Sequence, residues 1–150
     1  ATVLGQCWRP MAGSAPGFTA VDPSRCLLVD GRDLDSAEKR ALERLPVMRA
    51  PCADAPGLAD KLLANGAQRT HLHIDLDVLD PEVLQVNRYA RPGGPDPDRL
   101  RETMKALARS LPAAGITISA YDPAFDPQGE VPPVVGQLLV DVLDVLGRKT

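Results

Sequence analysis

Aromatic residues make up only 3% of this 150-residue sequence, and histidine occurs just twice. The three cysteines, Cys7, Cys26 and Cys52, show no CxxC spacing. This argues against a disulfide framework or a zinc cluster and favours a reducing cytoplasm. No apolar run approaches the length of a membrane span, and a net charge of -3 offers no basic surface for nucleic acid. We therefore expect a cytoplasmic globular domain that binds neither membranes nor nucleic acids.

Apolar runs and helical patterns alternate four times after residues 1–25, an irregular lead-in rich in proline and glycine. We predict strands over residues 26–30, 46–50, 70–78 and 115–122, and helices over residues 36–45, 57–65 and 134–146. A further helix is expected to begin at Asp96 and Pro97 and to carry Leu100, Met104 and Leu107 on one face. Such alternation is typical of an α/β protein with a mainly parallel sheet. We expect residues 1–150 to form a single domain.

The third predicted strand lies within residues 70–81, which read THLHIDLDVLDP. Alternate side chains of a strand point to opposite faces. One face carries Leu72, Ile74, Leu76 and Val78, and the other carries His71, His73, Asp75 and Asp77. Pro81 has no amide hydrogen, so the strand is expected to end before it.

Asp75 and Asp77 are candidate metal ligands. Two like charges two residues apart repel each other unless a cation lies between them. Carboxylates are hard oxygen ligands that suit Mg²⁺ or Mn²⁺, and adjacent carboxylates can bridge a pair of metals. The alternative is that one carboxylate caps a turn and the other is solvated. His71 and His73 lie earlier on the strand, where we expect hydrogen-bonded supports rather than ligands.

Residues 31–38, GRDLDSAE, form a second candidate site. Arg32, Asp33 and Asp35 could bind a polar substrate in the loop after the first predicted strand. Asp35 and Glu38 also have the spacing of a capping box, which explains both residues without a functional role. The longer loop of residues 82–97 carries Asn87, Arg88 and Arg91, which suit either substrate contacts or a solvated surface.

These segments together resemble the C-terminal half of the arginase/agmatinase (ureohydrolase) superfamily. Residues 71–81 are similar to its metal motif His-x-Ser-x-Asp-x-Asp-x-x-Asp-Pro, and residues 31–38 to its Gly-x-Arg-Asp-x-Asp-x-x-Glu segment. Residues 92–94, PGG, lie where the family has a Pro-x-x-Gly-Gly turn before a helix, and residues 121–126 are similar to a late strand-end segment. The matches are collinear over about residues 25–148.

The resemblance implies a three-layer α/β/α sandwich whose N-terminal strands are missing from this chain. It implies Asp75 and Asp77 as ligands of a binuclear Mn²⁺ centre, and Asp35 and Glu38 as substrate contacts. The implied parent activity is hydrolysis of a C–N bond in a linear amidine or guanidine by a Mn-bound hydroxide. The implied partners are a small guanidino or amidino substrate and either a homo-oligomer or the missing N-terminal half.

Three departures from the family pattern stand out. The N-terminal metal motifs have no match here, Ala120 replaces the glutamate that pairs the guanidinium, and residues 84–91 replace a Thr-Gly-Thr-Pro loop. We therefore expect weak or absent activity in this chain alone, and the sequence identifies no catalytic residue.

Two alternatives remain. One is a non-catalytic arginase-like module that serves assembly. The other is a phosphatase with Asp75 as its nucleophile, which would need a lysine at a later strand end. Lys105 and Lys149 lie in predicted helical stretches instead.

Overall fold

The computed structural model describes residues 2–7 and 9–147. The described residues contain four strands and five α-helices. The first helix lies in the lead-in, and after it four strands and four helices alternate. The strands are β1 (Leu27–Val29), β2 (Met48–Ala50), β3 (Thr70–Asp75) and β4 (Ala113–Ser119), and the helices are α1 (Arg9–Ser14), α2 (Ser36–Arg44), α3 (Ala59–Ala64), α4 (Pro97–Ser110) and α5 (Val131–Gly147). None of the described helices is long and apolar enough to cross a membrane.

The strands pair in parallel, as the alternating pattern predicts. β1 pairs with β2, and β3 pairs with β4 with Asp75 opposite Ser119. Within the described residues, these pairs form two separate two-stranded sheets rather than one hydrogen-bonded sheet. The carboxyl ends of β1 and β3 both contribute to the cleft described below.

The predicted strand over residues 70–78 is shorter than expected. β3 ends at Asp75, and Leu76–Val78 form a 3-10 turn in which Leu79 N donates to Leu76 O at 3.1 Å. Leu76 and Leu79 are both fully buried. Packing of these two leucines therefore favours a turn where the period of two predicted more strand, and Asp77 lies in that turn.

The core lies on the apolar face of β3. Leu72 and Ile74 are buried together with Leu107 of α4 and Val142 of α5. Helix α4 begins where the sequence predicts, since Asp96 accepts a hydrogen bond from Arg99 N at 2.7 Å and Pro97 occupies the first turn.

Helix α5 begins at Val131 rather than at residue 134. The carboxylate of Asp126 accepts hydrogen bonds from Glu130 N at 2.8 Å and Val131 N at 3.0 Å. Pro132 and Pro133 fit in the first turn of the helix because the amide hydrogens they lack would have no partner there. A side chain five residues upstream therefore sets this boundary, which the local pattern does not predict.

Candidate metal centre

Asp75 and Asp77 lie where β3 passes into the 3-10 turn. Although Asp75 is exposed as a residue, desolvation of its carboxyl and then the charge of Asp77 raise its pKa above the usual value. Among the described residues, no lysine or arginine forms an ion pair with either carboxylate. Asp75 and Asp77 therefore carry like charges without a described lysine or arginine counter-ion, and a bound cation would relieve their repulsion.

The two aspartates line a cleft of ≈ 320 Å³. The loop after β1 also lines this cleft, through residues that include Asp30 and Asp33, and so do Tyr89 and Arg91. Arg91 Nε pairs with Asp33 Oδ2 at 3.0 Å, but both side chains are more than half exposed. The structure thus brings together the metal-ligand candidates and the GRD loop, as the sequence predicts for strand ends.

Arg32 joins the loop after β1 to two other segments that line this cleft. Its Nη2 donates to the carbonyl of Val78 at 2.8 Å and to that of Arg91 at 3.1 Å. The sequence suggested Arg32 as a substrate contact, whereas the structure shows its guanidinium engaged with backbone carbonyls. These contacts assign Arg32 a structural role among the residues that line the cleft.

Asp35 and Glu38 form the predicted capping box at the start of α2. Asp35 Oδ1 accepts from Ala37 N at 2.6 Å and from Glu38 N at 2.8 Å, while Glu38 Oε2 accepts from Asp35 N at 2.9 Å. Neither residue is among those that line the cleft of Asp75 and Asp77. Their substrate-binding role stays a prediction.

His71 and His73 are hydrogen-bonded to β4, as expected of supports, but both are exposed rather than deep in the sheet. His71 Nε2 lies 2.8 Å from Thr117 Oγ1, and His73 Nε2 lies 3.2 Å from Ser119 Oγ. Ser119 Oγ also donates to Asp75 Oδ1 at 3.4 Å. Ser119 therefore links a histidine to a candidate ligand, a connection that only the strand register reveals.

For Asn87 the sequence left open a substrate contact or a solvated surface. The structure excludes the solvated surface, because Asn87 is only 4% exposed. Its Nδ2 donates to Ala120 O at 2.6 Å and reaches Asp77 Oδ2 at 3.5 Å. Nothing in the local pattern distinguishes it from the solvated polar residues of the same loop.

The residues required by the phosphatase alternative are not assembled here. Lys105 pairs with Glu102 at 2.8 Å and with Asp141 at 3.7 Å, and no lysine lines the cleft among the described residues. Asp122 caps the 3-10 turn Pro123–Phe125. Lys149 lies outside the described residues.

The donor set fits part of a divalent-cation site. Asp75 and Asp77 are oxygen ligands of the type that Mg²⁺ and Mn²⁺ take. Over residues 2–7 and 9–147, however, no group of three or more His, Cys, Asp or Glu side chains could hold a metal ion. This chain alone therefore presents two ligands, not a complete cage.

Comparison with known proteins settles the family. The family model of the arginase family matches residues 10–143. The chain belongs to the arginase family. This confirms the resemblance drawn from residues 31–38 and 71–81, and no curated protein sequence matches the chain.

Solved structures support an arginase-like α/β fold. Helicobacter pylori arginase is 16% identical with a TM-score of 0.76, and the match covers 87% of this chain and 45% of that one. Bacillus caldovelox arginase is 19% identical with a TM-score of 0.76, covering 97% and 50%. Formimidoylglutamase from Bacillus subtilis is 18% identical with a TM-score of 0.75, covering 92% and 45%. This arginase-family chain thus spans about half the length of the solved structures it matches.

Proposed function

We propose that this chain forms the C-terminal part of a Mn²⁺-dependent hydrolase acting on C–N bonds of linear amidines or guanidines. The observation that carries the proposal is the pair Asp75 and Asp77 at the carboxyl end of β3, which forms no ion pair with a described lysine or arginine. In such a centre, a pair of bound divalent cations lowers the pKa of water. Asp75 and Asp77 would hold part of that pair.

In this proposal Asp35 and Glu38 would contact the substrate from the start of α2, outside the set of residues that line the cleft. Capping of α2 uses Oδ1 of Asp35 and Oε2 of Glu38, so the second oxygen of each carboxylate is available to a polar substrate. Ala120 provides no carboxylate to pair a guanidinium, and its carbonyl accepts from Asn87. The missing carboxylate argues against arginine-type pairing of the substrate cation at this position.

Two carboxylates cannot hold two metal ions, so the site needs further ligands from another segment. We propose that these come from an N-terminal half or a second copy of the chain, within the reducing cytoplasm that the cysteine content favours. The 150 residues alone should then show no hydrolysis of linear amidines above background with Mn²⁺ present. Turnover by the isolated chain would contradict the incomplete site.

The metal assignment is tested by paramagnetic broadening of amide NMR signals during titration with Mn²⁺. We expect broadening centred on residues 74–78 in the wild type and none there in an Asp75→Ala/Asp77→Ala variant. A matched control is Asp60→Ala/Asp144→Ala, which removes two exposed carboxylates from α3 and α5. The control should broaden like the wild type.

A non-catalytic arginase-like assembly module is the second candidate. It is favoured by Ala120 and by the absence of a third ligand among the described residues. Equal responses of the wild type and the Asp75→Ala/Asp77→Ala variant to Mn²⁺ would favour this module and exclude the proposed metal centre.

A further inference from the structure

The loop between the 3-10 turn after β3 and helix α4 contains a buried amide. Asn87 is 4% exposed, and a buried amide is costly unless its donors and acceptor find partners. Its Oδ1 accepts from Tyr89 N at 2.7 Å and from Ala90 N at 3.0 Å. The acceptor end of Asn87 therefore shapes its own loop.

The donor end of Asn87 points away from that loop. Nδ2 donates to Ala120 O, just beyond β4, at 2.6 Å, and reaches Asp77 Oδ2, after β3, at 3.5 Å. Because two backbone N–H groups face one end of the amide and two oxygens face the other, the hydrogen-bond network determines which atom is nitrogen. The Asn87 side chain thus contacts the segments that follow β3 and β4, and on the β3 side its partner is the candidate metal ligand Asp77.

We propose that Asn87 is a positioning residue of the metal centre, an inference that rests on the proposed function. Its amide nitrogen lies 3.5 Å from Oδ2 of Asp77, at the limit of a hydrogen bond, and would orient that carboxylate for a cation. Partners of this kind orient the ligands of a metal and affect its affinity without touching it. Ser119 makes the equivalent contact with Asp75 Oδ1 at 3.4 Å, so each aspartate has one oxygen engaged by a neutral side chain.

Anchoring of the loop around Asn87 does not by itself explain why Nδ2 of Asn87 contacts Ala120 and Asp77. The loop is held to the strand end independently, since Asp122 N donates to Val86 O at 3.0 Å. The local turn needs only Oδ1 of Asn87. A shorter hydroxyl side chain can cap such a turn but does not extend as far as an amide nitrogen. Substitution by serine therefore separates the two roles.

The experiment compares Mn²⁺ titrations of the wild-type chain, Asn87→Ser and Asn87→Ala, followed by paramagnetic broadening at residues 74–78. We expect both variants to bind Mn²⁺ about ten-fold more weakly than the wild type, the smallest loss of affinity that is typical when a residue orienting a metal ligand is removed. The unfolding midpoint of Asn87→Ser should lie closer to the wild type than that of Asn87→Ala. A control, Asn65→Ala, removes an amide that donates to Ser24 O at 2.7 Å, and should leave Mn²⁺ affinity unchanged.

Wild-type affinity in Asn87→Ser would overturn the positioning role while leaving the proposed metal site intact. A wild-type chain that shows no broadening at residues 74–78 would overturn the metal site, and the role of Asn87 with it. If Mn²⁺ affinity falls only in Asn87→Ala, in step with its loss of stability, and Asn87→Ser keeps both wild-type values, Asn87 serves the structure of the loop alone.

Discussion

Gly94 packs directly against the carbonyl oxygen of Val78, the residue that ends the 3-10 turn after β3. A Cβ on Gly94 would lie inside contact distance of that oxygen, 2.7 Å from Arg32 Nη2 and 2.9 Å from Asp80 N. Only a residue without a side chain permits this approach. Gly94 thus allows the loop before α4 to close over the end of the candidate metal strand.

Gly94→Ala should lower the free energy of unfolding by about 3 kcal/mol, the upper range for overpacking, because two of the opposing atoms are backbone. Urea denaturation measures the change. The matched control is Gly136→Ala, where the new methyl group meets nothing within 4 Å on α5. It should stabilise the chain by about 0.5 kcal/mol, since alanine favours a helix over glycine. Equal effects would contradict the close approach.

Arg32→Met should destabilise the chain by about 2 kcal/mol, because it leaves the carbonyls of Val78 and Arg91 without their described donor. Arg91→Ala is the contrasting variant. It removes an ion pair whose side chains are 56% and 64% exposed, and should cost less than about 1 kcal/mol. Chemical denaturation of both variants would reveal the order, and a larger loss for Arg91→Ala would contradict the role of Arg32.

The metal-free chain should lose stability as Asp75 ionises. Desolvation, and then the charge of Asp77, raise the pKa of Asp75, so the native chain keeps this proton to a higher pH than the unfolded chain. The free energy of unfolding therefore falls as pH rises above the ordinary pKa of aspartate. Asp75→Asn should remove that fall and be more stable than the wild type at neutral pH. Denaturation over a pH series, with a chelator present, tests this.

Asp80 should behave in the opposite way and provides the control. Hydrogen bonds from Glu82 N, and then from Gly93 N, lower the pKa of Asp80. Its stabilising contribution is present above the ordinary pKa and is lost as pH falls through the lowered one. Asp80→Asn should be less stable than the wild type at neutral pH. The same pH dependence in both variants would contradict these assignments.

Asp35→Ala should cost about 1 kcal/mol through loss of the helix cap, whereas Asp35→Ser should cost little because serine also caps helices. Thermal unfolding of the two variants would show the difference. An equal loss in both would mean that Asp35 contributes something other than its cap. Weaker binding of an amidine by Asp35→Ser, with stability retained, would support its proposed substrate contact.

Local interactions explain what the sequence predicted well. Two helix starts depend on neighbouring residues: the capping box of Asp35 and Glu38, and the Asp96-Pro97 start of α4. The burial of Leu72 and Ile74 follows from the period of two along the strand. These features sufficed for the parallel α/β fold. The predicted end of β3 was wrong because burial of Leu76 and Leu79 favours a turn, and which residues are buried depends on the rest of the core.

Residues 70–81, by themselves, determined which side chains are available to a metal: two aspartates at adjacent same-face positions, with histidines before them. They also sufficed, with residues 31–38, to indicate the arginase family. Only the tertiary structure decided that Asp77 lies in a turn and that the histidines are exposed. It also decided that Asn87 reaches Asp77 and that Arg32 donates to the carbonyls of Val78 and Arg91. Those contacts join segments far apart in the chain, and no local pattern of residues encodes which segments meet.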